Sequence, residues 1–186
     1  MLCYQGKKDL WLIGYSDADW RGDIDQSKST SGYASLLDDS AILWCSKKQS
    51  CVALSTMEAE YVACSAATQD VIWSKSFLQH LEIVKIALES VTIFCDNTVA
   101  LAVAKDPKYH GKTKHIKKRY HYIRDAIIKN DVILKHISTS NMVADPLTKP
   151  IVRDVFVKYV RSLGLRRMWL TMLLVLRIMY ILTVIE

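Results

Sequence analysis

The chain has 186 residues, 51% of them apolar and 24% charged, which suits one packed domain with an extension and excludes an intrinsically disordered chain. Its 25 Lys and Arg against 19 Asp and Glu leave a formal charge of +6, pointing toward a polyanionic partner. The 5 cysteines contain no C-x-x-C pair and are odd in number, so neither a disulfide framework nor a zinc site is expected, and a reducing compartment is the simpler home.

In chain order, the N-terminal stretch has charges before its short apolar run and no small-residue cleavage pattern, so no secretory signal is expected. Leu10–Ser16 reads as a first strand; Gly32–Leu37 and Ala41–Ser46 follow, joined by the polar turn Asp38-Asp39-Ser40, giving an antiparallel meander. Ser55-Thr56-Met57-Glu58 matches the S/T-x-x-E capping box and opens a long helix running toward Leu81. Val91–Cys95 is an apolar run typical of a buried strand, and Thr98–Lys105 reads as the helix of a crossover. The segment Lys105–Arg124 is densely basic with interleaved Tyr and His. It leads into a helix ending near Asn130, a fifth strand at Val132–Ile137, a short loop at Ser138–Asn141 and a final helix. The order predicts an α/β fold: a five-stranded mixed sheet, first three strands antiparallel, the fourth parallel to the first, with helices on both faces.

Four acids fall at or just past element ends or near a helix start: Asp17, Glu60, Asp96 and Asp145. Hydrolysis of a phosphodiester by two divalent ions roughly 4 Å apart needs converging carboxylates, because hard cations take oxygen ligands. Taken singly, such acids are usually solvated. Glu58 is occupied as the third residue of the capping box and lies roughly 200° around the helix from Glu60, so Glu60 is the free ligand of the pair. Asp19 shares a strand face with Asp17 and is a fallback ligand. A calcium loop starting at Asp17 is rejected, because Arg21 takes a ligand position and Lys28 the terminal glutamate position. No Ser, Cys or His sits in a nucleophile-elbow signature. A D-D-E transposase is set aside because Glu60 comes second among the acids.

The segments GYSDADWRGD, KSTSGY, SKKQSCVALSTMEAEY, CDN, HGKTKHIKKRYHYIR and MVADPLTKP, in this order and spacing, resemble the ribonuclease H domain of copia-type LTR retrotransposon Pol polyproteins over roughly Cys3 to Leu163. The resemblance implies a ribonuclease H-like fold and a metal-binding, catalytic set of Asp17, Glu60, Asp96 and Asp145 holding two Mg²⁺ ions, with Mn²⁺ as an alternative. It further implies hydrolysis of the RNA strand of an RNA:DNA hybrid, one metal activating water and the other stabilising the leaving 3′ oxygen. The hybrid would be read by shape, phosphates and 2′-hydroxyls. Lys112, Lys114, His115, Lys117, Lys118 and Arg119 are the candidate phosphate contacts, against the plainer reading of a solvated helix face. Lys117 stands where the family usually has an acid. His136 falls inside the fifth strand and is not given the proton-shuttle role of cellular ribonucleases H. Pro146 directly after Asp145 is tolerable only where Asp145 sits at or before a helix start.

In the parent polyprotein such a domain follows a reverse transcriptase, the expected partner, and the location is the cytoplasm, in a virus-like particle for an intact element, with nucleus or membrane as open alternatives. The alternative to an enzyme is an inactive retrotransposon relic that binds nucleic acid without turnover or has no function. The domain is expected over residues 1–163, with an apolar tail over 164–186. In the tail, Met168–Ile185 approaches the roughly 20 residues of a membrane span but carries Arg177. Translated terminal-repeat sequence is the favoured reading of it, ahead of membrane contact as a tail anchor or a helix covering the domain.

Overall fold

The structure is a computed structural model, and it describes residues 2, 4, 10–81, 90–106 and 114–166, without the side chains of 114–118 and 120. Five strands form one sheet in the order β3-β2-β1-β4-β5: β1 (Leu12–Asp23), β2 (Lys28–Leu37), β3 (Ser40–Lys48), β4 (Val91–Cys95) and β5 (Val132–His136). β1 pairs antiparallel with β2 and parallel with β4, β2 pairs antiparallel with β3, and β4 pairs parallel with β5. This is the expected mixed sheet.

Alternation along the strands explains the two-sided packing. Leu12 of β1, Tyr33 of β2 and Val91, Ile93 and Cys95 of β4 face a large core built with α1 (Thr56–His80), α2 (Thr98–Lys105) and α3 (Lys114–Ile128). Tyr15, Ala34 and Leu36 face the other way, onto Val143, Leu147 and Leu163 from the C-terminal segment that contains α4 (Arg153–Ser162). Burying a side chain such as Ile93, which is fully enclosed, contributes about 1.5–3 kcal/mol.

Two regions depart most from the expectation, and β3 is also longer than its expected Ala41–Ser46. β1 runs on from Ser16 to Asp23 and β2 starts at Lys28, because the hairpin continues past the core: Ala18 pairs with Ser31, Asp19 with Thr30 and, after an irregularity, Asp23 with Lys28. Trp20 Nε1 donates to the Ala53 carbonyl at 3.1 Å and Lys48 pairs with Asp23, so tertiary contacts hold a polar ribbon whose sequence reads as a turn. The segment after Asn141 is not one helix. It makes a 3-10 turn at Asp145–Leu147, and α4 begins only at Arg153. Among the described residues Cys45, Cys51, Cys64 and Cys95 are free thiols, and no helix is long and apolar enough to cross a membrane. Lys112 and residues 167–186, which include nearly all of the expected tail, lie outside the described residues.

Candidate active site

Parallel pairing of β1 with β4 ends at Ser16 opposite Cys95, so the next residue of each chain segment, Asp17 and Asp96, emerges at the same end of the sheet. Asp17 is inside β1, not at its end, and is 4% exposed; Asp96 lies just beyond β4 and is half-buried. Glu60 comes from the second turn of α1 and is 7% exposed. Ser55 caps that helix by accepting from the Glu58 N–H at 3.2 Å, and Glu58 in return accepts from the Leu54 N–H at 2.8 Å, so Glu58 is occupied at the helix start as expected. The loop before α1 is braced by Gln49, whose Nε2 donates to Ser31 Oγ at 2.8 Å and to the Ala59 carbonyl at 2.9 Å. The Ala18 N–H hydrogen-bonds the Glu60 carboxylate and ties α1 to β1 beside Asp17.

Asp145 opens the 3-10 turn with Pro146 behind it, where the missing N–H costs nothing, and buried Met142, Val143 and Ala144 anchor the approach. The turn can lie on the sheet because β2 presents Gly32 there. A Cβ at Gly32 would stand 2.6 Å from Thr148 Cγ2, 2.9 Å from Leu147 Cβ and 3.0 Å from the Ala144 carbonyl. Gly32 is also the cross-strand partner of Asp17, so the turn settles next to that acid.

The four acids are thus delivered by a central strand, a helix, a neighbouring strand end and a C-terminal turn, and they act on one another electrostatically. Burial pushes Glu60 up to about 9, with the Asp17 and Asp96 charges adding to it. Burial likewise raises Asp17, opposed by a hydrogen bond from Thr148, while Asp96 and Asp145 push it further up. Such a cluster of like charges, taken out of water, is unfavourable unless cations or protons occupy it.

The donor set fits divalent ions. All four groups are carboxylates, the ligands hard cations prefer. Atoms of Glu60, Asp96 and Cys95 lie within 4.8 Å of one another, and Asp145 Oδ1 is buried. Lys149 Nζ sits 2.7 Å from that oxygen as an ion pair, and the Asp145 carboxylate holds the ammonium above its ordinary range. Cys95 Sγ is 4.0 Å from Glu60 Oε2; burial keeps it a protonated thiol, a bystander to an oxygen site.

Three residues at the site were not named from sequence. Thr148 donates to Asp17 Oδ2, Lys149 pairs with Asp145, and Thr139 Oγ1 donates to Asp96 Oδ2 at 2.8 Å. The available signal for the first two was their spacing of three and four from Asp145 within DPLTK, which in a tight turn folds them back over it. Asp19, the fallback ligand, directs its carboxylate into the space left by Gly22 and also acts on Lys149. Of the candidate phosphate contacts, Lys114, His115, Lys117, Lys118 and Arg119 lie on α3; only the Arg119 side chain is described, and it lines a groove of about 250 Å³ with Lys47, Lys48, Gln49 and Ser31. His136 is exposed on β5 opposite Cys95, within a strand as expected.

No protein-family model matches the chain. Among curated proteins it is 43% identical over 155 residues to the retrovirus-related Pol polyprotein from transposon TNT 1-94 of Nicotiana tabacum, covering 83% of this chain and 11% of that protein. It is 39% identical over 155 residues to the Pol polyprotein from transposon RE2 of Arabidopsis thaliana, covering 83% of this chain and 10% of that protein. The chain therefore spans about a tenth of the length of the curated relatives it matches. Among solved structures, the N-terminal RNase H domain of a Mycobacterium tuberculosis protein superposes with a TM-score of 0.51 at 12% identity, covering 82% of this chain and 98% of that one. LC11-RNase H1 in complex with an RNA/DNA hybrid gives 0.51 at 18% identity, covering 74% and 93%. The chain is a homologue of the Pol polyproteins of copia-type transposons and has the ribonuclease H-like fold.

Proposed function

We propose that the chain is a metal-dependent endonuclease that hydrolyses the RNA strand of RNA:DNA hybrids, as the ribonuclease H part of a retrotransposon polyprotein. The observation that carries the reading is the meeting of Asp17, Glu60, Asp96 and Asp145 from four separate elements at one end of the sheet, with Glu60 raised to about 9 by burial and by its acidic neighbours. Mg²⁺ or Mn²⁺ bound there would supply activated water and charge stabilisation at the leaving 3′ oxygen. The chain's own groups would do the rest. Asp17 and Asp145 hold their oxygens through the β1 ladder and the Pro146 turn, and the Thr139 hydroxyl steadies Asp96. Lys149, exposed and paired with Asp145, would be able to move onto a substrate phosphate once divalent charge occupies the acids.

The substrate assignment draws on the Pol homologues and on the hybrid-bound structural neighbour. In a polyprotein the adjoining partner would be a reverse transcriptase domain. The test is cleavage of a labelled hybrid by the full chain with Mg²⁺ and with EDTA. Cutting that needs the ion and falls to background in Asp96→Asn is the expected result. A folded wild-type chain that leaves hybrid RNA intact with Mg²⁺ present would defeat the proposal.

A further inference from the structure

Thr148 is not one of the four acids, yet it stands buried between two of the segments that carry them. It is 7% exposed, and its hydroxyl lies 2.5 Å from Asp17 Oδ2, 131 positions away in sequence. The same oxygen is 2.9 Å from the Asp145 main-chain carbonyl. A threonine hydroxyl carries one proton, and the nearer, charged acceptor takes it. The second contact therefore marks how closely the hydroxyl is wedged between the two acidic segments.

What fixes that wedge is on the opposite side of the side chain. Thr148 Cγ2 rests where a Cβ would stand on Gly32, and Gly32 is the β1–β2 ladder partner of Asp17. A β-branched side chain has few χ1 options, so a methyl held against bare backbone leaves the hydroxyl one direction, toward the carboxylate. Valine would fill the same volume against Gly32 and offer Asp17 nothing. Filling space thus accounts for the methyl but not for the hydroxyl.

We infer that Thr148, seated on Gly32, is a positioning residue that fixes the Asp17 carboxylate for divalent-cation binding and couples it to the turn that carries Asp145. The inference rests on the metal-dependent reading of the site given above. With Oδ2 held by Thr148, the other carboxylate oxygen of Asp17 would be left to serve as a ligand, and the carboxylate would not have to be reoriented from free rotation when an ion arrives. Gly32 serves the same end from beneath: any side chain there would lift the turn and separate Thr148 from Asp17.

The experiment is calorimetric titration of Mn²⁺ into the full chain, with thermal melts in EDTA, for the wild type, Thr148→Val and Thr148→Ser. The valine variant is expected to melt close to the wild type in EDTA yet bind Mn²⁺ roughly 10–100-fold more weakly, with serine recovering most of the loss. Wild-type binding together with unchanged affinity in Thr148→Val overturns the inference and leaves the metal reading intact. A wild-type chain that takes up no Mn²⁺ overturns the metal reading and the inference with it. If Thr148→Val is unfolded in EDTA, the comparison passes to Thr148→Ser against Thr148→Ala, which are close in size: affinity that follows the hydroxyl supports the inference, and equal affinity overturns it.

Discussion

Glu60 shows most directly what the fold imposes on a single side chain. Burial, then the Asp17 and Asp96 charges, raise its pKa to about 9 from an ordinary value of 4.5. Between those values the metal-free folded protein keeps a proton that the unfolded chain has released, so folding takes up protons and stability falls as pH rises. The contribution is fully present below about pH 4.5, erodes upward, and is gone above about pH 9. Asp17 is shifted in the same direction, and because the acids interact, the titration belongs to the cluster more than to one residue. Thermal melts in EDTA are therefore expected to drop steadily from pH 5 to pH 9, and Glu60→Gln, which cannot ionise, should flatten that slope and be more stable than the wild type at pH 8. Adding a divalent ion at pH 8 should raise the melting temperature of the wild type more than that of Glu60→Gln. A pH-independent melting temperature in the wild type would mean that the carboxylate is solvated and the site is not closed.

Helix α1 holds Glu60 in place through its first turn, so its N-cap has a consequence beyond local stability. Ser55→Ala removes the acceptor for the Glu58 N–H and is expected to lower unfolding free energy by about 1 kcal/mol in urea titrations, with Ser55→Asp near wild type. An alanine variant as stable as the parent would show that the Glu58–Leu54 bond alone secures the start of the helix. The cap was legible in sequence because its logic is local, and so were β4 and α2, whose observed bounds, Val91–Cys95 and Thr98–Lys105, are those the apolar run and its following helical pattern predict. The far half of β1 was not legible: DADWRGD is polar and turn-like, and it becomes strand only through pairing with β2 and through the Trp20 and Asp23 contacts. The four acids were reached in sequence through the motifs YSDADW, EAEY, CDN and VADPLTK that carry the family resemblance. Thr148 and Thr139 were not, because the carboxylates they donate to lie 131 and 43 positions away, and only the spacing of Thr148 from Asp145 hinted at its place.

At the scale of the whole molecule the net charge of +6 matters through where it lies relative to the acids. Lys47 and Arg119 line the groove that also contains Ser31, the strand neighbour of the Gly32 that pairs with Asp17. Lys48 lines the same groove but is engaged with Asp23, which leaves Lys47 and Arg119 as the better phosphate contacts there. A hybrid laid across the acids would bring backbone phosphates over this groove, and neutralising each releases counterions. With Asp96→Asn used to prevent cleavage in Mg²⁺, hybrid affinity should fall linearly with salt on a log–log plot. Lys47→Ala and Arg119→Ala should each weaken binding about equally for unrelated hybrid sequences and reduce the salt slope by about 1. If both variants keep the parent slope, the duplex runs elsewhere, and the same measurement on Lys117→Ala and Lys118→Ala of the α3 segment is expected to show the loss. Affinity that depended on hybrid sequence, or that ignored salt, would defeat the proposal that a hybrid is read through its shape and its phosphates.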